Sequence, residues 1–122
     1  MIPGDAFTVD EHPGLWIVLS DPDIDGESVL VAPTTDIHAA EASGFYLGQN
    51  SHTFLTSNCW LDFSVTTVVS IVTLNKLADD GSLIRRGPCL PTVIQRIWSE
   101  VGLSKRMRND FKALLRKQGK VN

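Results

Sequence analysis

From Pro91 onward the apolar residues change their spacing, and this change limits the possible folds more than any other feature of the chain. Upstream, apolar stretches are short, rich in β-branched and aromatic residues, and broken every few positions by Pro, Gly, Asp or Asn. Downstream, Val93, Ile94, Ile97, Trp98 and Val101 recur on one helical face. Pro91 suits a first helical turn, where its missing amide proton is not needed, and Gly102 suits the end of that helix. Ser104 suits the cap of a second helix, whose Met107, Phe111, Leu114 and Leu115 share a face and which ends before Gly119. A strand-rich body followed by helices predicts an α+β chain, mainly β. The 122 residues fit one domain, with the β part over 1–88 and a helical segment over 89–119.

Within the β part, Ala6-Phe7-Thr8-Val9 reads as a short strand with alternating faces, followed by a turn at Asp10-Glu11-His12-Pro13-Gly14. Leu15-Trp16-Ile17-Val18-Leu19 is continuously apolar and too short for a helix, so it reads as a buried strand. Asp21 to Gly26 reads as an acidic hairpin loop, and Ser28-Val29-Leu30-Val31-Ala32 as the next strand, stopped by Pro33, Thr34 and Thr35. Residues 36–52 predict an extended loop with one irregular strand, and Thr53-Phe54-Leu55 a brief pairing. Residues 61–74 hold Val65, Val68, Val69, Ile71 and Val72 with three threonines, which predicts strand. Asp79-Asp80-Gly81-Ser82 reads as a turn, and Arg85-Arg86-Gly87-Pro88 closes the region. Such short strands predict a small barrel or curled sheet.

Charge divides the chain. Residues 1–95 carry twelve acids and three bases, whereas residues 96–122 carry eight bases and two acids. The basic end suits a nucleic-acid backbone or an acidic partner; it equally suits a solvated helix face balanced by the acidic body. No apolar run nears the roughly 20 residues needed to cross a bilayer, and the N-terminus lacks the features of a signal peptide. A cytoplasmic domain without membrane contact is expected. Cys59 and Cys89 lack CxxC spacing and are expected to be reduced and structural. His12, His38 and His52 are scattered. Asp21, Asp23 and Asp25 are spaced as at the start of a calcium loop, but the twelfth position, which needs a glutamate, is Ala32. No metal or cofactor is expected. Nor is there a GxSxG elbow or a Gly-rich phosphate loop.

Residues 97–106 resemble the turn of a helix-turn-helix DNA reader, with Gly102 ending one helix and Ser104 capping the next. Against this, Trp98 stands where such turns carry a small residue, Arg108 falls where the second helix should be apolar, and no third helix precedes them.

Gly4-Asp5, the strand ending Val18-Leu19-Ser20, Val31-Ala32-Pro33-Thr34-Thr35, Val68-Val69-Ser70-Ile71 and a C-terminal helix after a Gly-Pro turn together resemble the MazF/PemK toxins of two-gene toxin–antitoxin modules. The similarity runs through nearly the whole chain in the family's order. It implies a small SH3-like β-barrel with C-terminal helices, a barrel shared with the CcdB toxins, which act on DNA gyrase. It also implies a homodimer that cleaves single-stranded RNA without a metal and is held inactive by an antitoxin tail across its groove. Thr34 stands where the family has a threonine that donates to the developing phosphorane. The family's arginine before the Val-Leu-Ser strand corresponds to Gly14, and an Asp-Gln pair common in the family corresponds to Thr66-Thr67; this chain departs from the pattern at both.

His12 is the one nearby side chain suited to proton transfer near neutral pH and becomes the candidate base or acid beside Thr34. Thr35, Arg85, Arg86 and Trp60 are the candidate substrate-binding residues. Trp16, inside an apolar strand, and Trp98, on an apolar helix face, read as core, whereas Trp60 reads as an interface residue able to stack on a base. The expectation is an endoribonuclease working through a 2′,3′-cyclic phosphate, with single-stranded RNA and a cognate antitoxin as partners. The alternatives are a non-catalytic barrel that binds RNA or protein and, behind it, a helix-turn-helix DNA-binding protein.

Overall fold

The computed structural model describes residues 1–22, 26–35, 44–55 and 57–122. They form seven strands, β1 (Ala6–Val9), β2 (His12–Val18), β3 (Ser28–Thr35), β4 (Gly44–Leu47), β5 (Cys59–Asp62), β6 (Thr67–Ser70) and β7 (Leu83–Arg85). Three helices accompany them, α1 (Ile71–Asp79), α2 (Pro91–Leu103) and α3 (Asn109–Lys117). The sheet is antiparallel in the order β4-β5-β3-β2-β1-β7, with β6 also on β3. The end strands β4 and β7 do not pair, so among the described residues the sheet stays open.

Alternation along the strands explains the continuous apolar run of β2. Leu15, Ile17 and Leu19 join Leu30, Ala32 and Leu61 on one face, under Ile94, Ile97 and Val101 of α2 and Phe111 and Leu115 of α3. Val18 joins Phe7, Val29 and Val31 on the other face, under Leu74 of α1, with Trp16 packed at its border. Both faces of β2 are therefore covered, and each of these side chains contributes about 1.5–3 kcal/mol by leaving water. The architecture is three layers, with α2 and α3 on one side of the sheet and α1 on the other.

Helix α1 overturns the expectation of continuous strand through Leu74. Ile71, Leu74, Leu77 and Ala78 follow helical spacing and bury against the second face. That burial outweighs the β preference of Ile71, Val72 and Thr73. Strand β3 likewise does not stop at Pro33 but runs to Thr35. Leu30 directs its N–H and C=O toward β2's side, donating to Ser20 Oγ at 2.8 Å and accepting from Leu19 N at 2.8 Å. By alternation Pro33 turns its amide-less nitrogen to the opposite edge. There the pairing of β3 with β5 ends at Thr34 and Leu61, its pairing with β6 starts at Val31 and Thr67, and the short turn Phe63–Val65 lies between. The ladder breaks where it would lack a donor.

Smaller differences have local causes. The expected turn before Leu15 shortens, because His12 already pairs with Val9. Gly102 lies inside α2, where a Cβ would approach Val121 Cγ1 to 3.0 Å, so its role is close packing and not capping. Ser104 Oγ accepts from the amides of Arg106 (3.0 Å) and Met107 (3.3 Å), but α3 begins only at Asn109, leaving Met107 buried ahead of it. The five residues between α2 and α3 exceed the three- or four-residue turn of a helix-turn-helix reader, and both helices lie on the sheet. Cys59 and Cys89 are buried and form no disulfide. The acidic-loop positions Asp23 and Asp25 and the first part of the expected loop, 36–43, lie outside the described residues. No helix among the described residues is long and apolar enough to cross a membrane.

Candidate functional site

Where β2 begins and β3 ends, a cavity of about 420 Å³ opens between the two strands and the segment carrying Phe54, Leu55 and Ser57. His12, Gly14, Thr34 and Thr35 line it together with buried Cys59. The sheet produces this meeting: β2 and β3 are antiparallel neighbours with Trp16 opposite Pro33, so the start of one lies beside the end of the other.

Two hydrogen bonds define what the cavity presents. Leu15 N donates to Thr34 Oγ1 at 2.9 Å, deep in the protein, since Thr34 is 3% exposed. With its oxygen holding that amide, the Thr34 hydroxyl retains its own proton for donation. Gly14 N donates to His12 Nδ1 at 3.1 Å. A neutral imidazole that accepts at Nδ1 carries its proton on Nε2, so the free nitrogen of His12 is a donor. To act as an acid the ring must first take a second proton on Nδ1 and give up the Gly14 bond. Trp16 steadies the ring edge-on, with centroids 5.0 Å apart, and itself stacks on Phe7 at 6.4 Å.

Gly14 carries no side chain for a steric reason. A Cβ there would lie 2.6 Å from the Thr34 carbonyl oxygen, 2.9 Å from Thr34 Oγ1 and 3.0 Å from His12 Cε1. Position 14 is thus closed to any side chain while β2 and β3 keep this approach. Apart from His12, no lining residue among the described residues can carry a positive charge.

The remaining candidates separate. Arg86 stands behind the cavity wall: its Nε donates to Thr8 Oγ1 at 3.0 Å and its guanidinium lies 4.8 Å from the centre of the Phe54 ring. Arg85, opposite Phe7, borders a different cavity with Met1, Asp5 and Pro88. The structure does not bring it to His12 and Thr34. Trp60 pairs across the ladder with Thr35 on one side and Tyr46 on the other, meeting the Tyr46 ring edge-on at 5.1 Å. It stands beside the cavity without lining it.

Sequence reasoning missed the residues that build the wall. His52 is buried; its Nδ1 accepts from Phe54 N at 3.0 Å, which places its proton on Nε2, 2.8 Å from the Gly87 carbonyl. This latch joins the Phe54 wall to the turn that follows Arg86. The signal was faint, a histidine two residues before an aromatic, and it is the spacing by which His12 holds Gly14. Among the described residues no three of His, Cys, Asp and Glu come together. Comparison with protein-family models, with curated proteins and with solved structures finds no match to this chain.

Proposed function

We propose that this chain is a toxin of the MazF/PemK kind, a homodimeric cytoplasmic protein built on an SH3-like barrel, and that its His12–Thr34 cavity binds single-stranded RNA and cleaves it without a metal. The observation that carries this reading is the convergence of His12, Thr34 and Thr35 on one cavity. In the reaction the ribose 2′-oxygen attacks the adjacent phosphorus, its proton passes to solvent water, and the bond from phosphorus to the 5′-oxygen breaks. Doubly protonated His12 gives its Nε2 proton to the departing 5′-oxygen. The products are a 2′,3′-cyclic phosphate and a 5′-hydroxyl. Thr34 donates its hydroxyl proton as a hydrogen bond to a non-bridging oxygen, where negative charge grows. An antitoxin tail across the same cavity would block the reaction.

A second reading, a family member that binds RNA without cutting it, has its own observation. The cavity holds no lysine or arginine, and Gly14 cannot be replaced by one without displacing Thr34. Incubating a long single-stranded RNA with purified protein in EDTA separates the two. Discrete fragments from wild type, lost in both His12→Ala and Thr34→Ala, support the nuclease. Intact RNA that is nevertheless retained in a mobility shift supports the binder. Cleavage unaffected by either substitution would remove the activity from this cavity.

A further inference from the structure

A second concave site lies at the far edge of the sheet. It has a volume of about 430 Å³ and is lined by Tyr46 of edge strand β4, by Gln49, Asn50 and Asn58 from the connections around it, and by Arg96 of α2. Its volume falls within the range of small-ligand sites. Three of its features suit a nucleotide. Tyr46 is 45% exposed and packs against the Trp60 ring with centroids 5.1 Å apart and planes at 66°, so an exposed aromatic ring is held ready for a base. The side-chain amides of Gln49 and Asn50 are exposed and engage no hydrogen bond among the described residues, which leaves donors and acceptors for the edge of that base. Asn58 is committed to structure: its Oδ1 accepts from Gln49 N at 2.9 Å and sets the turn that presents the other two. Arg96 is exposed, makes no ion pair among the described residues, and rests 5.3 Å from the centre of the Phe45 ring, which fixes its guanidinium at the cavity for a phosphate.

Strand register connects this site to the first. Tyr46 is opposite Trp60 and Trp60 is opposite Thr35, so one row of side chains across β4, β5 and β3 ends in both cavities. Two strand spacings of 4.7–4.9 Å place the two ends about 10 Å apart. At about 3.4 Å per stacked nucleotide, that is about three nucleotides along a single strand.

We infer that this second cavity is a nucleobase subsite, which stacks one base of a single-stranded RNA on Tyr46, reads its edge with Gln49 and Asn50, and holds the neighbouring phosphate on Arg96, about three nucleotides from the phosphate bound at His12 and Thr34. The inference rests on the RNA reading above. It is tested by fluorescence anisotropy with a labelled ten-nucleotide single-stranded RNA of mixed sequence and with a labelled dinucleotide, on protein shown by circular dichroism to be folded. Tyr46→Ala weakens binding of the ten-nucleotide strand about tenfold, while Tyr46→Phe, which keeps the ring, binds as wild type does. Arg96→Gln lowers the slope of log affinity against log salt by about 0.7, the value for one phosphate of a single strand. The dinucleotide, long enough for either cavity but not for both, binds wild type more weakly than the ten-nucleotide strand does. Wild-type protein that binds no RNA overturns the RNA reading itself. Wild-type protein that binds the longer strand, with Tyr46→Ala and Arg96→Gln indistinguishable from it, overturns the subsite and leaves that reading standing.

Discussion

Substituting Gly14 tests the site and the packing beneath it together. In Gly14→Ala the new methyl group would sit 2.6 Å from the Thr34 carbonyl oxygen and 2.9 Å from Thr34 Oγ1, nearer than real Cβ atoms approach. The carbonyl belongs to buried strand β3, so relief requires moving backbone and cannot come from rotating a flexible side chain. Overpacking of this kind costs about 1–3 kcal/mol. Displacing Thr34 also weakens the bond it accepts from Leu15 N, and a buried amide left without a partner costs about another 1–3 kcal/mol. Together these cost about 2–6 kcal/mol, and with an unfolding entropy of about 0.26 kcal/mol/K for a chain of this length the midpoint of thermal unfolding falls by about 8–23 °C. Scanning calorimetry on Gly14→Ala beside wild type measures it. Gly14→Arg falls at least as far and gains no cleavage, because its Cβ meets the same atoms. A Gly14→Ala protein that melts within 2 °C of wild type would refute the close approach, and with it the steric account of the missing arginine.

Other outcomes follow from the same geometry. Burial pushes the Cys89 thiol up to about 11; because this lies above its ordinary value of 9.0, the associated stability is complete below pH 9 and is lost as pH rises toward 11. Urea unfolding at the two pH values should show wild type losing up to about 2 kcal/mol more than Cys89→Ala over that interval, and equal losses would dismiss the linkage. In His52→Ala the Phe54 amide loses its acceptor and the Gly87 carbonyl its donor, so hydrogen exchange at Phe54 speeds up about tenfold or more; an unchanged rate would show that the cavity wall does not depend on this latch. On the nuclease reading, Arg86→Gln removes the guanidinium behind Phe54 and slows cleavage by taking its charge from the neighbourhood of the reacting phosphate. Cleavage at the wild-type rate would show that Arg86 does not act through the wall.

Much of the fold was legible because two periodicities are written plainly. Leu15 to Leu19 has no polar member to turn toward water, and the structure covers both sides of that strand. Ile94, Ile97 and Val101 announce α2 in the same way. Helix α1 was hidden by residue type: Ile71, Val72 and Thr73 favour strands in isolation, and only the face they must cover makes the helix the better solution. Its helical signal, Ile71, Leu74, Leu77 and Ala78, was present but competed with a run of valines immediately before it. The end of β3 was hidden by Pro33, whose missing donor matters on one edge only. Which edge that is depends on the neighbouring strands.

The site was legible in its parts and illegible in its arrangement. Thr34, Thr35 and His12 could be singled out by position, but their convergence depends on the register of β2 with β3, a long-range property. The pairing of β7 with β1 decides against Arg85: it ends β7 opposite Phe7 and borders a different cavity, whereas Arg86, just past the strand, lies over Phe54. Register also gives the empty position 14 its meaning. Seen alone, a glycine before an apolar strand is a turn residue. Beside Thr34 it lets two backbones come close enough for a threonine hydroxyl to hold the Leu15 amide and for a glycine amide to hold the His12 ring. An arginine there would supply charge but would separate the two donors that the cavity now presents. Side-chain charge at position 14 and close placement of His12 and Thr34 are therefore mutually exclusive in this fold, which leaves His12 as the one described lining residue able to carry a positive charge.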